Sequence, residues 1–328
     1  MTRVNHADCV IVGAGMAGLA AGMSLNARGF SVLVVDKGRG VGGRLATRRF
    51  DGGRFDYGAQ FFTVRNPAFR RLADEWLAAG IVTPWSDGFS LPDGKFKHTG
   101  EVHYRGTSGM RMIAKHLSQN LDLRSRIEVK AISIEGDIWK VLDAGGNVFT
   151  GKALILTPPV PQSLALLNAG SVRLARSVEE ELAKLTYNPC LAVMAMLEGP
   201  SRIPSPGGVW LPGEPIAWLA DNTQKGICSG EATGSSITLH AGPDFSRTHW
   251  DDASRVGSFL LQTAAPWLGS RAKILHTHRW RFSQPTHAHN EPILSVSSPG
   301  RLVFAGDAFG GSRVEGAALS GLAAAASL

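Results

Sequence analysis

The chain alternates between short unbroken apolar runs and segments whose apolar positions recur every three to four residues. That is the pattern of strands buried on both faces alternating with amphipathic helices. The first run, Cys9 to Val12, predicts a strand. A glycine-punctuated turn and a helix of small residues follow, and then a second strand from Ser31 to Val35 that ends in Asp36. Phe69, Leu72, Trp76 and Leu77 fall at helical spacing and predict a helix over 66–79. Polar and aromatic residues alternate around the Pro92-Asp93-Gly94 turn and predict hairpin strands between 85 and 105. Thr107 or Ser108 is placed to cap a helix reaching Leu117. A strand from Ile127 to Ile134 leads into turns at 135–137 and 145–147, and another begins at Ala153 and must leave its sheet at Pro158-Pro159. The runs Leu191 to Leu197 and Ser236 to His240 predict an antiparallel sheet in a region carrying Trp210, Trp218, Trp250, Trp267 and Trp280. A last apolar strand starts at Arg301 and ends in Gly306-Asp307, before an alanine-rich helix.

At 328 residues the chain is long for one hydrophobic core, so two domains are expected. Its apolar content of 44% is that of an ordinary α/β or α+β protein. The net charge of +7 comes without an arginine-rich tract or a nucleic-acid motif, so it reads as a steering field for a phosphorylated small molecule and not as a nucleic-acid footprint. Three widely separated cysteines, Cys9, Cys190 and Cys228, give neither a disulfide framework nor metal spacing. No unbroken apolar span is long enough to cross a bilayer. A cytoplasmic protein in a reducing compartment, with no membrane partner, is the expectation.

The turn after the first strand sharpens this picture. Gly13, Gly15 and Gly18 sit between strand and helix at the spacing of a dinucleotide-binding fingerprint, with Ala14, Met16 and Ala17 completing the turn and the helix start. Gly13 permits the tight turn, Gly15 lets backbone N–H groups approach a pyrophosphate, and Gly18 lets the helix pack close to the strands. The helix then directs its positive end at the phosphates. Asp36, at the carboxyl end of the second strand, is placed to accept hydrogen bonds from a ribose.

Asp36-Lys37 followed by Gly42-Gly43-Arg44 resembles the turn of the FAD-dependent amine oxidases and their relatives. The resemblance implies that Lys37, Gly43 and Arg44 meet the flavin dinucleotide, with the Arg44 guanidinium acting as a planar cationic fork. Residues 51–63 (DGGRFDYGAQFFT) resemble the family segment that brings backbone amides to the isoalloxazine ring, which implies ring contacts for Gly58, Ala59, Gln60 and Phe61. Val129 matches the position whose main chain holds the adenine edge, and Gly306 and Asp307 match the late contact with the ribityl phosphate. Val314, Glu315, Ala317 and Ala318 match the helix that aims its positive end at the flavin. These motifs lie at both ends of the chain, so the cofactor domain is expected to be discontinuous. It is read as a Rossmann-type, p-hydroxybenzoate hydroxylase-like FAD domain (1–65, 106–165, 291–328), and the inserted α+β substrate domain (66–105, 166–290) is read as built on an antiparallel sheet.

Within the family, FDYGAQFFT, HRWRF at 278–282 and GDAFGGSRVEGAALSG look most like the bacterial renalase group. That resemblance implies an oxidase of 2- or 6-dihydro-NAD(P) isomers, with oxygen as acceptor and NAD(P)+ and hydrogen peroxide as products. Loss of hydride from a dihydropyridine restores an aromatic pyridinium, so positioning does the work and no catalytic base is assigned. No Ser/His/Asp arrangement at recognised spacing, HExxH, CxxC or P-loop is present. Candidate substrate contacts are Tyr57, Gln60 and Phe61 beside the ring, Tyr187 and His240 on the inserted sheet, and Arg279 or Arg281 for substrate phosphates. His276, His278, His287 and His289 have metal-like spacing but stand in a proline-punctuated stretch without cysteines, so no metal is expected. A flavin amine oxidase and a catalytically silent flavin-binding redox module remain alternatives, and oligomeric state is open.

Overall fold

The computed structural model describes residues 5–50, 52–211, 213–228 and 234–328. Asp51, the first residue of the 51–63 segment, lies outside the described residues. The chain divides into two compact units. One comprises Met1–Gly43, Ala114–Thr186 and Pro285–Leu328, and the other Arg44–Ile113 and Tyr187–Gln284.

In the first unit, β-branched and leucine-rich runs form the parallel strands His6–Val12, Val32–Asp36, Asp122–Ser125, Val148–Leu156 and Arg301–Phe304. His6–Val12 lies between Val32–Asp36 and Val148–Leu156, and Arg301–Phe304 flanks the latter. Val10, Ile11, Val34, Leu154, Ile155 and Leu302 are fully buried, as continuous apolar runs require in a sheet covered on both faces. The helices Met16–Ala27 and Val314–Ala326 pack backbone to backbone, because a Cβ at Gly321 would stand 2.1 Å from the Ala17 carbonyl oxygen. An antiparallel extension, Val129–Glu135 with Ile138–Asp143, continues from Val148–Leu156.

The second unit is built on a seven-stranded sheet, in the order Ala272–Pro285, Tyr187–Leu197, Ser236–Ala241, Ile216–Asp221, Gly208–Trp210, Val82–Ser90, Phe96–Gly106. Antiparallel pairings join its middle strands and the 82–106 hairpin, and a parallel bridge between Val209 and Ser90 links the two. One face, including Leu191, Val193, Leu219, Leu239 and Val209, packs under Val256, Leu260, Ala264 and Leu268 of the helical segment 253–268. By strand alternation the opposite face carries Met194, Thr238, His240, Trp218 and Trp210. The α/β class, the Rossmann-type sheet and the largely antiparallel second sheet are those expected from the sequence.

The units cut the chain elsewhere than the sequence suggested. Residues 44–65 pack within the second unit, because the buried Asp56 carboxylate is bonded there by the Thr47 hydroxyl, the Met110 N–H and the Lys225 ammonium. The helices Pro243–Thr248 and Ala253–Thr263 have no counterpart among the elements expected from the sequence. Among the described residues, no helix is long and apolar enough to cross a membrane.

Candidate functional site

The first unit gathers its chemistry at the carboxyl ends of the parallel strands, on either side of His6–Val12, where the connections depart in opposite directions. That is where an open α/β sheet leaves a crevice. Gly13 has φ 105° and donates to the Val35 carbonyl at 2.8 Å. Its missing side chain is filled by Thr157, whose Oγ1 would be 2.3 Å from a Cβ. A Cβ on Gly18 would be 1.9 Å from the Gly13 carbonyl oxygen. Gly15 is different, because no atom comes within 4 Å of a Cβ built there. Its bareness leaves open space at the end of the helix Met16–Ala27, where unpaired N–H groups attract anionic oxygen.

The second glycine turn is bound to the first. Gly42 donates to the Ala14 carbonyl at 2.8 Å, and a Cβ on Gly43 would lie 3.5 Å from the Gly15 Cα. The Asp36 carboxylate accepts from the Ala14 N–H at 2.7 Å and the Gly38 N–H at 2.6 Å, so it braces both turns with lone pairs to spare. Lys37 is exposed. Arg126 and Ile127 donate to the Gly38 and Asp36 carbonyls, and Val129, two residues on, begins the strand Val129–Glu135. Gly306 has φ 141° and donates to the buried Ser320 hydroxyl, so the turn before Asp307 is held by the helix Val314–Ala326. Glu315 and Ala318 are buried in that helix, and Val314 and Ala317 are half-buried.

In the second unit, Tyr57, Gly58, Ala59 and Phe61 form a half-exposed stretch between buried Asp56 and buried Phe62. Gly58 is required because a Cβ would meet the Arg44 carbonyl at 2.1 Å, and Ala59 donates to that same carbonyl at 2.8 Å. Arg44 itself donates from Nη1 to the carbonyls of Phe282 and Ser283, an anchoring role the sequence did not suggest. The Gln60 amide donates to the Asp56 and Gly58 carbonyls at 2.6 and 3.2 Å. Its buried Oε1 has no partner among the described residues, so the side chain is an oriented acceptor. Phe61 packs in a box of rings with Trp85, Phe89, His103 and Trp218.

Two side chains from separate strands meet at one backbone atom, as the Tyr57 carbonyl accepts from His240 Nε2 at 3.1 Å and Trp280 Nε1 at 2.8 Å. The Tyr57 ring stacks on Trp280 and meets His278 edge-on at 5.0 Å. Burial pushes both His240 and His278 down to about 4, so both are neutral near pH 7. Burial raises the Tyr57 phenol, against the opposing fields of Arg48 and Arg111. Tyr187 lies edge-on to Phe282 at 5.5 Å. Tyr57, Gln60 and Phe61 thus form one stretch, which His240 buttresses. Arg279 and Arg281 do not join it. They point to the helix-covered side of their strand and lie over the Trp250 ring at 5.9 and 5.5 Å, while His278 and Trp280 between them face Tyr57. The sequence also missed Lys225 and Arg48. Among the described residues, no group of three or more His, Cys, Asp or Glu is placed to hold a metal ion.

The neutral His240 carries a pH consequence. Its folded value, about 4, lies below the ordinary 6.5, so between them the unfolded chain binds the extra proton. Stability is therefore full above pH 6.5 and falls as pH drops toward 4, by about 3 kcal/mol from this residue. Denaturant unfolding between pH 7.5 and 5 is expected to show about 2 kcal/mol of this loss, and His240→Gln to flatten it. An unchanged slope in the variant would remove His240 as the cause.

Residues 11–76 match the family described as NAD(P)-binding Rossmann-like domain, and residues 86–328 match Flavin containing amine oxidoreductase. The phytoene desaturase (neurosporene-forming) of Rhodobacter capsulatus is 42% identical over 71 residues, 22% of this chain and 13% of the relative. The L-amino acid dehydrogenase of Synechocystis sp. is 33% identical over 98 residues, 29% of this chain and 21% of the relative. The chain thus aligns with well under two thirds of either relative's length. Among solved structures, putrescine oxidase bound to putrescine superposes with TM-score 0.69 at 16% identity, covering 98% of both chains. A putative protoporphyrinogen oxidase from Exiguobacterium sp. gives TM-score 0.69 at 15% identity, covering 97% of this chain and 98% of that one. At such identities these two structures speak for the fold alone. The family match spans most of the chain, and the open space at Gly15 suits the diphosphate of the family's cofactor, FAD. This chain therefore belongs to the flavin containing amine oxidoreductase family.

Proposed function

We propose that the protein is a renalase-like oxidase, which takes a hydride from 2- or 6-dihydro-NAD(P) and returns NAD(P)+. Bound FAD supplies the two-electron acceptor chemistry, with oxygen as final oxidant and hydrogen peroxide as its product. The observation that carries the reading is the cationic field of Arg48, whose guanidinium lies 5.1 Å from the Phe50 ring, at one end of a ring surface that reaches the neutral His278 and Tyr57. Such a field attracts a substrate bearing a pyrophosphate and repels an alkylammonium ion, the solution form of most amine substrates.

The chain's residues have positioning work to do. Gly13, Ala14, Gly15, Met16, Ala17 and Gly18 would hold the cofactor diphosphate, Asp36 and Lys37 its ribose, and Gly43 and Arg44 the second approach. Val129 would hold the adenine, and Gly306, Asp307, Val314, Glu315, Ala317 and Ala318 the ribityl end. The cofactor-binding part thereby draws on 1–65, 106–165 and 291–328. Gly58 and Ala59 would present backbone to the ring. Gln60 Oε1, fixed by its two amide bonds, is suited to receive an N–H such as that of a carboxamide. Phe61 and Tyr57 supply apolar walls that exclude water. No residue needs to remove a proton from the donor carbon, since aromaticity drives hydride departure.

Anaerobic mixing tests this directly. The oxidised flavin band should bleach with 2- or 6-dihydro-NAD and not with amines. Bleaching by putrescine or another amine alone would favour the amine oxidase alternative, which the family description keeps in view. Retention of flavin with no reduction by either class would mark a silent redox module.

A further inference from the structure

The phosphates of a dinucleotide substrate need a cation on the face that Tyr57 shares, and Arg279 and Arg281 lie on the other face. The face toward Tyr57 carries a continuous run of rings. Phe50 and His276 are 6.2 Å apart, His276 and His278 6.0 Å, His278 and Trp280 4.3 Å, and Tyr57 closes the run at 5.4 Å from Trp280. All five are half-buried, so each leaves some ring surface accessible. Arg48 stands at the Phe50 end, its guanidinium 5.1 Å from the ring centroid. Arg48 is half-buried, and among the described residues no carboxylate pairs it. Its field extends along the run, acting on Tyr57, His276 and His278.

We propose that Arg48 and the ring run from Phe50 to Trp280 form the subsite for the non-reacting ADP-ribose part of a dinucleotide substrate. This rests on the reading of the reaction given above and extends it. The guanidinium fork matches the geometry of phosphate oxygens, and stacking along a neutral ring surface suits the adenine. Neutral histidines matter here, because they add stacking surface without a second strong anion site. The subsite makes the chain selective for dinucleotides over the bare dihydronicotinamide riboside.

The test uses flavin-loaded protein and ADP-ribose as the probe, titrated by calorimetry. Arg48→Met is expected to weaken ADP-ribose binding about tenfold or more, the weight of a charge-assisted pair, with Arg48→Lys recovering part of it. Arg281→Met is expected to leave the affinity within about twofold. In turnover, Arg48→Met should lower the kcat/KM ratio of dihydro-NAD to dihydronicotinamide riboside about tenfold, through KM and not kcat. Unchanged ADP-ribose affinity in Arg48→Met, no binding by the native protein at millimolar probe, or loss through Arg281→Met instead would each overturn the subsite. If Arg48→Met loses its flavin, Arg48→Lys and His276→Ala decide, and both must weaken the probe for the subsite to stand. Failure of every dihydronicotinamide to reduce the native flavin would sink the proposed reaction alone, because the ADP-ribose titration reads the subsite without turnover.

Discussion

Replacing Gly15 by valine is expected to strip FAD from the protein while leaving the polypeptide folded. The residue has extended backbone, φ −80° and ψ −175°, that any amino acid adopts, and nothing within 4 Å opposes a Cβ. The isopropyl group would instead occupy the space where diphosphate oxygens meet the helix end. Losing two charge-assisted hydrogen bonds there costs on the order of a hundredfold in affinity. Gly18→Val is the contrasting case. A Cβ 1.9 Å from a backbone carbonyl cannot be relieved by rotating a side chain, so the helix must leave the strands and the fold itself suffers. Flavin absorbance per protein, read beside the thermal melting of the apoprotein, separates the two outcomes. Full flavin retention in Gly15→Val would mean that the cofactor lies elsewhere.

The second large effect belongs to Asp56→Ala, expected to cost about 3–5 kcal/mol by leaving a buried ammonium uncompensated. Asp56 and Lys225 are 2.7 Å apart and fully buried. The carboxylate also accepts from Thr47 and the Met110 N–H, the backbone N–H of Asp56 reaches the Asn222 side chain, and its carbonyl takes the Gln60 amide. One residue thus organises the hairpin, a distant turn and the oriented acceptor. Lys225→Met should cost less, since Thr47 and the Met110 N–H still bond Oδ1 and the Arg105 charge still acts on the carboxylate, although Oδ2 loses its partner. The double variant should be more stable than the sum of the two losses, by several kcal/mol of coupling. Urea unfolding of the four proteins gives the cycle, and a loss below about 1 kcal/mol in Asp56→Ala would show that the pair is not what holds this region.

The nucleotide half was legible because its logic is local. Gly13, Gly15, Gly18 and Asp36 lie within one strand–helix–strand unit, and each glycine has its own steric reason. FDYGAQ was legible as a segment, yet the partner of its Asp56 was not. Lys225 is 169 positions away in a polar turn, where a lysine ordinarily faces water. The side of the strand that Arg279 and Arg281 take is readable in the sequence. In HRWRF the arginines alternate with His278 and Trp280, so a strand places the two pairs on opposite faces. Arg48 carried no such mark, because its significance comes from the rings of a strand more than two hundred residues on.

The order of strands in the parallel sheet also bears on how the protein is made. On the ribosome, Arg44–Ile113 and Tyr187–Gln284 are complete before Arg301–Phe304 exists to flank Val148–Leu156 and before the helix Val314–Ala326 exists to cover Ala17. The unit that begins the sequence is therefore the last to close. Its glycine turns emerge early and wait, so the nascent chain completes this unit only once the helix Val314–Ala326 has emerged.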